Sequence, residues 1–176
     1  MKLYSLLMLI YFVATGYVVS VPFWHWLGLG LILLAIIHYD FKSLRIPNLM
    51  NVALAGLGLF ISLKADRSFF DIMISVVVMT VILGGMMLLY QRLRGQSGLG
   101  MGDVKFVIAA GFWIEISAMP IFMLLSSSMA LLYYTVVSKG ELGKIKHQHV
   151  PFGPFLCFGL WTTYFYQQTL FHLLQF

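Results

Sequence analysis

Long runs of apolar residues separated by short polar stretches make up almost the whole chain. A run of roughly 20 such residues is long enough to cross a bilayer as an α-helix. The pattern predicts seven apolar helices, at residues 3–20, 24–40, 49–63, 69–90, 104–116, 119–137 and 155–174. We therefore expect an all-α, polytopic membrane helix bundle with six or seven transmembrane helices. Residues 1–176 are expected to form this single membrane domain, with no soluble domain.

The fifth predicted segment, 104–116, is the shortest, with an uninterrupted apolar run of about a dozen residues. At about 1.5 Å per residue, this run barely crosses a bilayer. A re-entrant segment would invert every later helix and move Lys139, Lys144 and Lys146 to the outer side. Because lysine and arginine prefer the cytoplasmic side, we expect segment 104–116 to cross.

Composition and charge exclude several classes of protein. The chain is 61% hydrophobic and 10% charged, whereas soluble domains have about 25% charged residues. The net charge of +5 does not indicate a nucleic-acid partner, because the basic residues are scattered through short loops. With the N-terminus inside and the C-terminus outside, only Lys64 and Arg67 lie on the outer side. Cys157 is the single cysteine, so no thiolate zinc site exists, and we expect no metal and no cofactor.

Two aspartates are the candidate chemical groups. Asp40 lies at the cytoplasmic end of the second helix and Asp103 at the cytoplasmic start of the fifth. Ionisable residues near membrane depth are functional candidates by default, and two carboxyls that share a proton can activate water. Asp103 also fits a plain helix N-cap. A carboxylate near a helix C-terminus, as at Asp40, is disfavoured by the helix dipole and is harder to explain structurally.

The same dipole argument suggests a division of labour between the two carboxyls. The C-terminal field of the second helix favours protonated Asp40, and the N-terminus of the fifth favours ionised Asp103. The sequence therefore predicts Asp103 as the base, although a coupled pair titrates as a unit.

Three short elements surround the aspartates. Glycines alternate at 98, 100 and 102, which permits positive φ angles and close approach to an extended substrate peptide. Ile46-Pro47-Asn48 follows Asp40, and Pro151-Phe152-Gly153-Pro154 precedes the last helix; both also fit ordinary helix punctuation. The candidate substrate-binding or loop-shaping residues are Gly98, Gly100, Gly102, Lys105, Ile46, Pro47, Asn48, Pro151, Phe152, Gly153 and Pro154.

Taken together and in this order, these motifs resemble the type IV prepilin peptidase family of GxGD intramembrane aspartyl proteases. The resemblance covers roughly residues 36–160. It implies a multi-pass helical peptidase of the bacterial inner membrane, with its active site facing the cytoplasm and Asp40 and Asp103 as the catalytic pair. Its substrates would be prepilins, pseudopilins or related precursors of type IV pilus, type II secretion or similar systems. No cofactor is implied.

The chain also departs from larger members of that family. Those members carry a cytoplasmic domain with paired CxxC motifs between their first two spans, and the domain is linked with N-methylation of the product. Here residues 21–23 are the whole predicted connection. We therefore expect a short, peptidase-only form without N-methyltransferase activity.

Three other interpretations remain open from the sequence. A presenilin or signal-peptide-peptidase type protease also uses a Tyr-Asp and a GxGD, and Tyr39-Asp40 fits it. A proton- or cation-coupled transporter would use the two aspartates, but near mid-span rather than at the boundary. A structural assembly subunit leaves the glycine–aspartate loop unexplained.

Overall fold

Seven α-helices form the described part of the chain. The computed structural model describes residues 3–18, 23–94, 100–137 and 151–174, and within these ranges it contains no β-strand. The helices are α1 (Leu3–Val18), α2 (Phe23–Ser43), α3 (Asn48–Lys64), α4 (Phe69–Arg94), α5 (Met101–Ala110), α6 (Met119–Val137) and α7 (Gly153–Leu174). The predicted all-α class is confirmed.

Three of these helices are long and apolar enough to cross a membrane, namely Phe23–Ser43, Phe69–Leu93 and Ile116–Val136. The apolar helix Asn48–Lys64 is shorter. This agrees with a membrane helix bundle, while the number of spans and the inward N-terminus stay predictions.

The chain reverses direction sharply between α2 and α3. Leu44 adopts a left-handed backbone with φ of 52°, and its N–H donates to the carbonyl of Asp40 at 2.9 Å. A left-handed residue after a helix usually is glycine, so Leu44 holds a mildly strained cap. Ile46 is then buried, and Pro47 is the extended N-cap of α3. This turn brings the end of α2 next to the start of α3.

The fifth helix ends earlier than predicted, at Ala110 rather than at residue 116. After it, Trp113 turns inward and its indole Nε1 donates to the carbonyl of Leu54 at 2.9 Å. The ring lies against Gly58, where a Cβ would be 2.5 Å from Nε1. Burial of the whole Trp113 side chain in this space stabilises the fold more than another turn of α5 would. A hydropathy pattern does not reveal such a contact.

The segment from α5 to residue 115 nevertheless runs beside α3 from one end to the other. At the first end, Asn51 Nδ2 donates to the Gly102 carbonyl at 3.5 Å. At the other end, Ser62 Oγ donates to the Phe112 carbonyl at 2.7 Å. Because α3 has 17 residues, it is about 25 Å long. The two ends of this segment therefore lie at opposite ends of α3, and its crossing of the membrane stays a prediction.

The helices pack as two groups that meet along a seam. One group is α1, α2, α6 and α7, in which α7 packs most closely with α6 and α2; the other is α3, α4 and α5, with α5 in contact with both partners. The seam consists mainly of α2 against α3 and α5 against α7. Asp40 belongs to the first group and Asp103 to the second, so the electrostatic interaction between the two aspartates crosses this seam.

A polar cluster closes the end of the bundle opposite the aspartates. The Arg67 guanidinium donates to Ser62 Oγ at 3.2 Å and to the Ile114 carbonyl at 3.5 Å. Glu115 and Asp71 interact with the same guanidinium. The cluster joins the α3–α4 connection to the end of the fifth segment. The sequence predicted that both lie on the outer side of the membrane.

Candidate active site

Asp40 lies in the last turn of α2 with only 4% of its surface exposed. Its Oδ2 accepts a hydrogen bond of 2.8 Å from the backbone N–H of Gly153, the first residue of α7. The N-terminus of α7 therefore points at the Asp40 carboxylate. A helix N-terminus stabilises negative charge, which opposes the unfavourable field of the C-terminus of α2.

Gly153 fits this position because it lacks a side chain. A Cβ there would lie 2.6 Å from Oδ2 and 3.0 Å from Cγ of Asp40. Phe152 accepts the first helical hydrogen bonds, from the N–H groups of Phe155 and Leu156, and Pro154 takes an early helical position that proline tolerates. The Pro-Phe-Gly-Pro element thus starts α7 against the side chain of Asp40.

Asp103 lies in the first turn of α5, just before the apolar stretch 104–116. Gly100 is the N-cap of the helix, with φ of −67° and ψ of 138°, and its carbonyl accepts the Asp103 N–H at 3.0 Å. A Cβ on Gly100 would lie 2.8 Å from Asp103 Oδ2, and one on Gly102 would lie 3.3 Å from the Ile46 nitrogen. Close packing thus accounts for both glycines, and neither has a positive φ.

The two carboxyl groups are close enough to affect each other electrostatically. Burial, and then the charge of Asp40, raise the pKa of Asp103 to about 6, against a smaller opposing effect of a hydrogen bond with the Gly100 backbone. Just below pH 6, the coupled pair therefore holds one proton, which belongs to the two carboxyls as a unit. Such a half-protonated pair is the arrangement that acid–base activation of water requires.

The other predicted site residues shape the helix ends and turns around the two aspartates. Lys105 Nζ donates to Asn48 Oδ1 at 2.9 Å, which joins α5 to the start of α3. Ile46 and Pro47 form the turn on which Gly102 packs, and Pro151 leads into α7. Gly98 lies outside the described residues.

Three further residues near the pair were not predicted. Asn51 is buried and contacts the Gly102 carbonyl. Cys157, fully buried on α7, interacts electrostatically with both aspartates. Tyr134 on α6 interacts with Asp40. Only Asn51 leaves a sequence signal, because an amide stands at a core position of an otherwise apolar helix.

Metal binding is not indicated by the described ranges. Within 3–18, 23–94, 100–137 and 151–174, no three His, Cys, Asp or Glu side chains converge on a point that could hold a metal ion.

The fold and site define a class: an all-helical membrane protein in which two carboxyls meet at one end of the bundle. Residues 27–135 match the model of the type IV leader peptidase family. The chain belongs to this family, which decides against the presenilin-type interpretation.

Three curated relatives, each named prepilin leader peptidase/N-methyltransferase, illustrate the similarity. The Neisseria gonorrhoeae protein is 31% identical over 148 residues, which are 78% of this chain and 49% of that protein. The Stutzerimonas stutzeri protein is 31% identical over 136 residues (75% and 45%). The Burkholderia pseudomallei protein is 30% identical over 149 residues (84% and 47%). The chain thus spans about half the length of the curated relatives it matches. No solved structure matches it significantly.

Proposed function

We propose that the chain is an intramembrane aspartic endopeptidase that removes the leader peptide of type IV prepilins or prepilin-like proteins. One observation carries the proposal: buried Asp40 and half-buried Asp103 form an electrostatically coupled pair in a member of the type IV leader peptidase family. Both carboxyls lie in the terminal turns of their helices rather than at mid-span. This depth favours peptide cleavage over proton- or cation-coupled transport.

The contacts of each carboxyl support a division of labour opposite to that predicted from the sequence. The sequence argument considered only the C-terminus of α2 as an influence on Asp40. With Gly153 N–H bonded to its Oδ2, ionised Asp40 takes the proton of the attacking water. Protonated Asp103 then donates a hydrogen bond to the scissile carbonyl oxygen, where negative charge develops. The proton from water finally reaches the leaving amine.

Charge placement supports a cytoplasmic site in the bacterial inner membrane. Lys42, Arg45 and Lys105 are exposed at the aspartate end of the bundle, and Lys64 and Arg67 lie at the other end. Because basic residues concentrate on the cytoplasmic side, the aspartate end faces the cytoplasm and α7 ends on the outer side. A prepilin whose cleavage site lies just inside the membrane would reach the pair there.

Peptidase activity without N-methyltransferase activity is part of the proposal. The 176 residues contain one cysteine and therefore no CxxC pair. Only residues 19–22 separate α1 from α2, where the resemblance places the cysteine-bearing domain of larger members.

Incubation of the purified chain with a candidate prepilin in lipid vesicles tests the activity. We expect intact-mass spectrometry to show loss of the leader and, with S-adenosylmethionine present, no added methyl group. A full-length relative serves as the positive control for both reactions. Intact prepilins across a panel of pilin and pseudopilin precursors would refute the peptidase assignment, and a methylated product would refute the second part.

The pH dependence tests the division of labour. Because the pKa of Asp103 is raised to about 6, both carboxyls are ionised above that pH and the shared proton is lost. We expect kcat/KM for leader removal to fall about tenfold per pH unit well above 6. The measurement is a set of initial rates between pH 5 and 8, with folding checked at each pH. A rate that instead falls as the pH decreases through 6 would make Asp103 the base, as the sequence predicted.

A further inference from the structure

Asn51 occupies a position where the pattern of α3 calls for an apolar residue. The buried face of this helix comprises Asn51, Leu54, Gly58, Ile61 and Ser62, at the spacing of one helical stripe. Asn51 is 5% exposed. A buried amide costs free energy unless all its polar atoms are paired, so an asparagine at this place needs a reason.

The hydrogen bonding of Asn51 is incomplete. Its Nδ2 donates to the Gly102 carbonyl at 3.5 Å, the long limit for such a bond. Its Oδ1 is buried and has no hydrogen-bond partner among the residues that the structure describes. Stability alone therefore does not explain the residue, since an apolar side chain of the same shape would avoid the unpaired oxygen.

Within the described ranges, the one side-chain hydrogen bond of Asn51 is directed at the peptide that carries Asp103. The Gly102 carbonyl carbon is bonded to the Asp103 nitrogen, so its orientation fixes the direction in which the Asp103 side chain leaves the backbone. Gly102 also packs on Ile46, so this peptide lies between Ile46 in the α2–α3 turn and Asn51 in the first turn of α3. A substitution of Asn51 therefore affects the position of Asp103 more directly than that of Asp40.

The opposite end of the same helix provides a comparison. Ser62 also donates to a backbone carbonyl of the fifth segment, that of Phe112, but at 2.7 Å and far from the aspartates. Its oxygen in turn accepts a bond from Arg67, so it is fully engaged. The short hydrogen bond of Ser62 thus lies at the end of α3 far from the aspartates. The long hydrogen bond of Asn51 lies at the end next to them.

We propose that Asn51 is a positioning residue for the reaction, which orients the Gly102–Asp103 peptide so that the Asp103 carboxyl faces Asp40. The proposal rests on the proposed peptidase function. Asn51 does not touch the substrate; it acts through Asp103. The titratable groups that interact with Asp103 are Asp40 from α2 and the thiol of Cys157 from α7.

Asn51→Leu tests the proposal, with Ser62→Ala as the matched control. We expect Asn51→Leu to lower kcat by about 10- to 100-fold, the effect of a displacement of about 1 Å in a catalytic group, with KM nearly unchanged. Its melting temperature should equal or exceed that of the unmodified chain. The limb of the pH profile that belongs to Asp103 should move to lower pH, because the carboxyl moves away from Asp40. Ser62→Ala should lower the melting temperature and leave kcat per folded molecule and the pH profile unchanged.

Asn51→Ala keeps the test decisive if leucine disturbs packing, since a smaller side chain removes the same bond without crowding. Wild-type kcat and pH profile in a folded Asn51 variant would overturn the proposal, as would a lower melting temperature with an unshifted pH profile. Failure of the unmodified chain to cleave any prepilin would instead overturn the peptidase function itself, and normal activity in both Asp40→Asn and Asp103→Asn would overturn the catalytic pair. These failures are therefore distinguishable in one set of assays.

Discussion

Asparagine at either Asp40 or Asp103 should reduce leader removal by about 10³-fold or more. The water has to lose a proton to one carboxyl while the other supports the scissile carbonyl. An amide can donate a hydrogen bond but cannot take up or release a proton, so the general acid–base contribution of about 10²–10⁴ is lost. Because the carboxyls act as a unit, the double variant should be no slower than either single variant. The measurement is the initial rate of leader removal from a prepilin in vesicles.

The folded state of these variants provides the control. The Asp40→Asn side chain retains an oxygen that can accept the Gly153 N–H. For Asp103, the folded-state pKa of about 6 lies above that of the unfolded chain, so ionisation opposes folding at neutral pH. Asp103→Asn should therefore melt no lower than the unmodified chain at pH 8, and any gain should vanish towards pH 4. Folded variants that cleave at the normal rate would contradict the catalytic assignment.

Alanine at Gly153 should reduce cleavage by about 100-fold or more while most of the fold persists. The new methyl group would lie 2.6 Å from Asp40 Oδ2, so the carboxylate must move and its bond with the Gly153 N–H is strained. Gly153 has an ordinary helical backbone that alanine can adopt, and the displaced atoms belong to the tip of one side chain. A displacement of about 1 Å in a catalytic group is enough for a 10²-fold loss. The measurement is kcat per folded molecule for Gly153→Ala and for the unmodified chain, with a thermal melt of each to give the folded fraction.

Gly159→Ala is the matched control on the same helix. Its methyl group would collide with Ser126 Oγ, away from the aspartates, so it should lower the melting temperature and spare kcat per folded molecule. The two alanine variants should thus show opposite patterns of stability and activity. If Gly153→Ala retained normal kcat, the N-terminus of α7 would have no part in holding Asp40.

Hydropathy located the helices because each buries an apolar surface in membrane or protein. The errors lie at helix ends, which tertiary contacts determine. α2 continues through Asp40 to Ser43, and α4 reaches Arg94, although both ends are polar. α5 stops at Ala110 because Trp113 finds a space over Gly58, and a contact across 55 positions of sequence leaves no local pattern.

The aspartates were predictable as a pair, since charges in an apolar chain are few and both lie at the same end. Their local environment was not predictable. The Gly153 N–H reaches Asp40 across 113 positions, and the dipole of α2 alone gives no sign of this contact. Asn51 was visible only as an amide in an apolar stripe, and its direction towards Gly102 depends on how α5 packs.

The seam between the two helix groups has a mechanical consequence. Each group carries one of the two carboxyls, so a sliding of one group along the other would change the distance between them directly. A wider seam would lengthen that distance, so the geometry of the catalytic pair depends on how firmly the two groups are held together.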